Sequence, residues 1–269
     1  MNEISKTNIE IDDWKSLKAY TDARIALGKT GVSIPMAESL AFKLAHAHAK
    51  DAVYSSLNQG VLIDFLRNIH QPVVSLHSRA SNRDIYLQRP DLGRRLADDS
   101  VRKLQQLQAT PSDLCIILAD GLSASAVNEN AGPVVQRLIE ASKKMNFSVS
   151  AISLVEQARV AIADEIGGLL KAKLSIILIG ERPGLSASDS MGAYITYAPS
   201  LGLTDERRNC ISNIREKGLS PALAADKIMY LVREAFRLQI TGVSLKDNDA
   251  GTQLPIVDLS EKLVEMSGN

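Results

Sequence analysis

The chain has no surplus of charge: its 269 residues hold 31 Lys plus Arg against 31 Asp plus Glu. A balanced chain has no basic field to attract a polyanion, which argues against nucleic acid as a partner. Aromatic residues are 4% of the total, too few for a platform on which single-stranded nucleic acid stacks. The two cysteines, Cys115 and Cys210, are far apart and lack a C-x-x-C spacing, so neither a disulfide framework nor a zinc site is indicated. Both read as small buried apolar residues, and the default compartment is reducing and intracellular. No apolar run approaches the length of a membrane span. The polar, acidic start MNEISKTNIEIDDW lacks the basic-then-apolar order of a secretory signal.

The familiar catalytic and phosphate-binding signatures are missing as well. There is no G-x-G-x-x-G after a strand and no G-x-x-x-x-G-K-[ST]. Neither a G-x-S-x-G elbow nor H-E-x-x-H appears. The histidines, His46, His48, His70 and His77, all fall in the first third. His46 and His48 are two apart, so on a helix they diverge and make a poor metal pair. They read as partly exposed helix residues.

What is present begins as helix after helix. Asp12 or Asp13 can cap a helix through Trp14, Leu17 and Ala26 that ends near Gly28 and Gly31. Ser33 is a candidate N-cap for the next, with Pro35 in its first turn and Met36, Leu40, Leu44 and Ala47 at helical spacing. LNQGVLIDFLRNI supplies a third, which stops before Pro72. These three are expected to pack as a helical amino-terminal part, residues 1–72.

From residue 73 to 269 the rhythm is α/β. DLGRRLADDSVRKLQQLQ reads as one helix, with Arg94 and Arg95 on adjacent helical positions. Short apolar runs rich in Ile and Val predict strands near 114–119, 148–154, 174–179 and 193–197. Helical patterns such as GPVVQRLIEASKKM and RVAIADEIGGLLKA separate them, and SPALAADKIMYLVREAFRLQ is a long helix near the end. Alternation of this kind indicates βαβ units. The fold class expected is α/β: a helical part, then a Rossmann-like, mainly parallel sheet flanked by helices, with a closing tail.

Two loops stand out. CIILADGLSASAV (115–127) and IILIGERPGLSASDS (176–190) each run from an apolar strand into an acidic residue and then GLSAS. Ligands of open α/β sheets bind at the carboxyl ends of strands, which places Asp120-Gly121 and Gly180-Glu181 at one crevice. Glu181 is either a solvated charge or an acceptor for a ligand rich in N–H donors. Pro183-Gly184 would fix the turn and let the backbone come close to a large flat ligand. In RPDLGRRL (89–96), the arginines suit either a partner interface or an exposed, salt-bridged helix.

LIGERPGL (178–185), YLQRPDLGRRL (86–96), ILADGLS (117–123) and CISNI (210–214) together resemble the small (light) subunit of ethanolamine ammonia-lyase. ARIALGKTG and LAFKLAHAHAKDAV look like the amino-terminal helical part of the same family, and the resemblance runs in order over about residues 20–240. It implies a lyase that uses adenosylcobalamin, a cobalt-bearing cofactor, to convert ethanolamine to acetaldehyde and ammonia. It further implies a large subunit that holds the substrate in a barrel, and a hetero-oligomer with several copies of each subunit. The small subunit then covers the cofactor from the other side, with no catalytic residue of its own.

Carried over residue by residue, the family's cofactor contacts fall on Val160 in ARVAI, Glu181 in GERPGL and Cys210 in CISNI. The chain lacks D-x-H-x-x-G, the motif by which some cobalamin proteins displace the cofactor's own base, so base-on binding is expected. Only a short polar lead precedes Trp14, where some relatives carry a long segment resembling a microcompartment-targeting extension. A cytoplasmic location is the expectation, with encapsulation left open. The competing reading is a self-sufficient α/β enzyme with a nucleotide-like ligand at the same crevice.

Overall fold

The computed structural model describes residues 9–246. Two helices lead, α1 (Met36–Tyr54) and α2 (Gln59–Asn68), followed by strand β1 (Val73–His77), α3 (Arg83–Gln88) and α4 (Asp98–Gln106). A regular alternation comes next: β2 (Ser112–Ala119), α5 (Ala124–Lys144), β3 (Ile152–Glu156), α6 (Ile162–Leu169) and β4 (Ala172–Gly180). Two strands then follow in succession, β5 (Met191–Tyr197) and β6 (Asn209–Ile214), before α7 (Pro221–Leu238). Among the described residues no helix is long and apolar enough to cross a membrane.

All six strands form one sheet in the order β1-β3-β2-β4-β5-β6. The pairs β1–β3, β3–β2 and β2–β4 are parallel, whereas β4–β5 and β5–β6 are antiparallel. The sheet is therefore mixed, which corrects the expectation of a mainly parallel, Rossmann-like one. The reason is local. A parallel return needs a crossover, usually a helix, to carry the chain back to the starting end of the sheet. Residues 181–190 contain no helix, so β5 starts where β4 stops and runs back beside it.

The strands predicted near 114–119, 174–179 and 193–197 are β2, β4 and β5. The one predicted at 148–154 is displaced to Ile152–Glu156, with Val149 making only an isolated bridge to Leu114. The central strands read as unbroken apolar runs because both faces are covered. Leu114, Ile116 and Leu118 of β2 face a core shared with α2, α5 and α7, while Cys115, Ile117 and Ala119 face one shared with α4 and α6. In β4, Leu174, Ile176 and Leu178 divide in the same way from Ile177 and Ile179.

Several predicted helices are shorter than their patterns. The first is a 3-10 helix, Asp13–Ala19, capped by the Asp12 carboxylate, which accepts from the Trp14 N–H at 2.9 Å. It cannot continue to residue 26, because Ala26 has φ +48° and Gly28 has φ +74°. Pro35 is the cap residue of α1 rather than part of its first turn, and Ser33 instead exchanges backbone bonds with Thr30. Arg94 and Arg95 are not on a helix: Arg94 ends a 3-10 turn, Arg95 is extended, and α4 starts only at Asp98. β1, α3 and β6 were not anticipated as elements. α2 buries Leu62 and Leu66 against the sheet layer, whereas α1 lies against α5 with Met36, Leu40 and Leu44 exposed. The predicted tail falls mostly on residues 247–269, outside the described residues.

Candidate functional site

The carboxyl ends of β2, β3 and β4 form a rim, and Asp120 ties it together. Its carboxylate accepts from the N–H groups of Gln157 (2.8 Å) and Ala158 (3.0 Å), which fixes the loop after β3. Burial holds this carboxyl above its ordinary range, while those two donors and the nearby Arg83 act in the opposite sense. Asp120 is thus a buried clamp rather than a group offered to a ligand.

The two GLSAS loops touch through backbone. Gly121 has φ +56°, and a Cβ there would stand 2.2 Å from the Gly180 carbonyl oxygen. A Cβ on Gly180 would stand 2.0 Å from that of Ser123. Only glycine allows this approach. The Leu122 N–H donates to Gly180 O (2.9 Å), and the Ser123 hydroxyl to Ser188 O (2.8 Å).

Two adjoining hollows open beside this rim. One, of about 420 Å³, includes Gly121, Leu122, Gly180, Glu181 and Arg182. The other, of about 370 Å³, includes Pro90, Arg94, Asp205, Arg208 and Cys210. Arg159, Val160 and Tyr194 line both and make them one trough. Val160, Glu181 and Cys210, from three separate segments, all lie on its wall. Each hollow is at the small end for a ligand pocket and open, a shape for one side of a ligand larger than either.

Cys210 is exposed on β6, not buried as its residue type suggested. Its thiol is pushed up, chiefly by desolvation, against the pull of a hydrogen bond with Tyr194. The Tyr194 phenol is also held above its ordinary range, again mainly by desolvation. Glu181 is occupied within the chain. Its Oε2 accepts from the Ser190 hydroxyl (2.5 Å) and the Asn213 N–H (3.2 Å), and its Oε1 from the Ser212 hydroxyl (2.5 Å). A carboxylate has about four acceptor positions, so roughly one, on Oε1, is left for a ligand. The side chain therefore staples the end of β4 to β6 whatever else it does.

Four residues in or beside the trough, Tyr86, Arg83, Arg159 and Arg208, were not singled out by the sequence as site residues. Tyr86 is fully buried and donates its hydroxyl to Ala158 O at 3.0 Å. The guanidinium of Arg83 lies over its ring at 4.7 Å and that of Arg159 at 4.1 Å. Arg83 also donates to Val53 O (2.6 Å) and Gly121 O (2.9 Å), which joins the end of α1 to the rim. In the second hollow Arg208 is buried against Asp164 and also binds Asp205 at 2.8 Å. Of the flagged arginines, Arg95 donates to Glu165 (3.1 and 3.3 Å), while Arg94 stays exposed on the trough wall. His46, His48 and His70 are exposed away from it, and His77 lies on β1.

Residues 11–246 match the family model for the ethanolamine ammonia-lyase light chain. The chain belongs to that family. A relative from Pseudomonas syringae pv. tomato, named ethanolamine ammonia-lyase small subunit, is 48% identical over 272 residues, covering 100% of this chain and 95% of its own length. One of the same name from Pseudomonas aeruginosa (strain LESB58) is 52% identical over 237 residues, covering 87% of each chain. Another, from Xanthomonas campestris pv. campestris, is 50% identical over 239 residues, covering 88% of each. The matched span includes the whole rim, both hollows and α1. Tyr86 and Arg94 lie inside YLQRPDLGRRL, one of the motifs that carried the resemblance. That string was the signal available for Tyr86, but nothing in it showed a ring buried beneath two guanidiniums.

Proposed function

We propose that this chain is the small subunit of an adenosylcobalamin-dependent ethanolamine ammonia-lyase and that its trough covers one side of the cofactor against a large subunit. The observation that carries the reading is the convergence of Val160, Glu181 and Cys210 on one open wall, the first two after the ends of β3 and β4 and the third on the edge strand β6. The residues suit the cofactor. The Arg159 Nε, on the wall of the trough, is buried without a hydrogen-bond partner. Hydroxyl, carboxylate and guanidinium groups lie within the same reach. Adenosylcobalamin, when bound, supplies the radical chemistry of the deamination.

This chain's part is to hold and shelter. The trough offers no group poised to react: the Cys210 thiol and Tyr194 phenol both stay protonated at neutral pH, and Glu181 is held by three donors. Without a paired nucleophile and base, acid–base catalysis has no agent here. That weighs against the self-sufficient nucleotide-binding enzyme, which would need such a pair. It also makes the large subunit the seat of the reaction, and the lack of D-x-H-x-x-G keeps base-on binding the expected mode.

An exposed apolar surface supports the partner. Trp14, Met36, Leu40, Phe42, Leu44 and Tyr54 all stand in solvent, and patches of this kind on a soluble chain mark interaction sites. α1 ends at the rim, where Arg83 holds Val53 O and Gly121 O together, so arm and trough can meet one partner. The test mixes this chain with its large subunit and adenosylcobalamin. The mixture should form acetaldehyde from ethanolamine and each subunit alone should not. Turnover by this chain alone would overturn the division of labour.

A further inference from the structure

The sequence pointed to the trough as an acceptor of N–H donors; the side chains add donors of its own that lack acceptors. Its carboxylates are already engaged within the chain, Glu181 by two hydroxyls and an N–H with one position on Oε1 left, and Asp205 through one oxygen by Arg208. Its guanidiniums are not all consumed. Arg159 has a buried Nε with no hydrogen-bond partner, and its one recorded donation is from Nη2 to Tyr86 O at a long 3.3 Å. Among the described residues neither Arg159 nor Arg94 has a carboxylate within ion-pair distance, although both line the second hollow. An arginine donor that is desolvated and unmatched costs free energy in the unbound protein, and an anionic acceptor relieves it. In a chain whose net charge is zero, this is a local, uncompensated cationic spot.

We infer that Arg159, with Arg94 beside it, forms an anion subsite of the trough that takes the phosphodiester of the cofactor's nucleotide tail. The inference rests on the cofactor reading above and adds to it which part of the ligand faces this hollow. A guanidinium matches a phosphate's paired oxygens, whereas the corrin rim offers amides. A carboxylate of the large subunit would have the same chemistry, and the experiment separates the two sources.

The test uses the assembled complex and follows binding by the visible spectrum of the corrinoid. Two ligands are compared: cobalamin, and cobinamide, which lacks the nucleotide and its phosphodiester. Arg159→Gln should weaken cobalamin by roughly ten- to a hundredfold, the scale of one charged hydrogen bond, and leave cobinamide unchanged. Arg159 also supports Tyr86, so Arg94→Gln is the second variant, since Arg94 is exposed and no side-chain bond of its own is broken. It should show the same selectivity, smaller in size. An equal loss for both ligands, or none, overturns the subsite. Loss of assembly with the large subunit before any corrinoid is added assigns the anion to the partner and also overturns it. If the wild-type complex binds neither corrinoid, the cofactor reading itself fails; if it binds both and the variants do not discriminate, only the subsite does.

Discussion

The sheet layer and the leading segment, residues 9–54, obey opposite rules. In β2 and β4 the side chains from Leu114 to Ala119 and from Leu174 to Leu178 are sealed from water on both faces. In the leading segment Trp14 is 67% exposed, Met36 74% and Leu44 58%. Both regions carry enough apolar side chains to make a core. The difference is that helices α2, α4, α5, α6 and α7 supply covers for the sheet, whereas α1 meets α5 yet keeps Met36, Leu40 and Leu44 uncovered among the described residues. An apolar stripe thus does not by itself say what covers it: the chain's own elements do so for the sheet and not for this face of α1.

The comparison breaks most severely at the rim, where the sheet is tightest. Gly180→Ala puts a methyl group 2.0 Å from the Ser123 carbonyl oxygen, which only backbone movement can relieve. Overpacking of this kind costs about 3 kcal/mol, and thermal melting of the isolated subunit should show it as the largest fall of the series. A melting temperature within a degree of wild type would mean that the two loops do not depend on each other.

Glu181 is the next step down. Glu181→Ala leaves the Ser190 hydroxyl, the Ser212 hydroxyl and the Asn213 N–H without their acceptor. Ser190 is buried, so its loss is not fully made good by water, and a cost of about 2 kcal/mol follows. Glu181→Gln keeps one acceptor oxygen and should fall between. If the remaining position on Oε1 serves the cofactor, affinity of the complex falls as well. Measuring melting and corrinoid affinity on the same proteins separates the staple from the contact, and unchanged stability in Glu181→Ala would remove the staple.

What the sequence revealed of this comparison follows from what sets each feature. β2, β4, β5 and α7 were legible because continuous apolar runs and long stripes are local properties, whereas α5 begins at Ala124, ahead of the pattern that starts at Gly132. The direction of β5 was not, since it depends on the absence of a crossover in 181–190 rather than on the strand's own residues. β6 was hidden because Cys210, Ser212 and Asn213 are edge residues without an alternating apolar pattern; only Ile211 and Ile214 are buried there. At the site, the rim's location followed from the general rule for strand ends. The occupation of Glu181 and the freedom of Arg159 did not, because both depend on which distant side chains arrive beside them. α1 is a helix as the spacing of Met36, Leu40 and Leu44 indicates, but periodicity cannot say whose surface will cover a stripe.

The smallest effect on the isolated chain should come from the arm, and there the absence of an effect is informative. Leu40 and Leu44 are one helical turn apart, 57% and 58% exposed, and so share a face of α1. Replacing both with Asp removes no buried contact of comparable size, and each site loses at most a few tenths of a kcal/mol of helix propensity. The isolated subunit should melt within about 0.5 kcal/mol of wild type at each site. Co-purification with the large subunit should nevertheless collapse, because two desolvated carboxylates at an apolar contact each cost several kcal/mol unless they find partners. The rival cover for this face is a second copy of the same chain. In that case the wild-type small subunit alone would sediment as a dimer, the double variant as a monomer, and assembly with the large subunit would survive. A large loss of stability in the monomeric variant would mean instead that α1 is held by its own chain, and the contrast between arm and sheet would be one of degree.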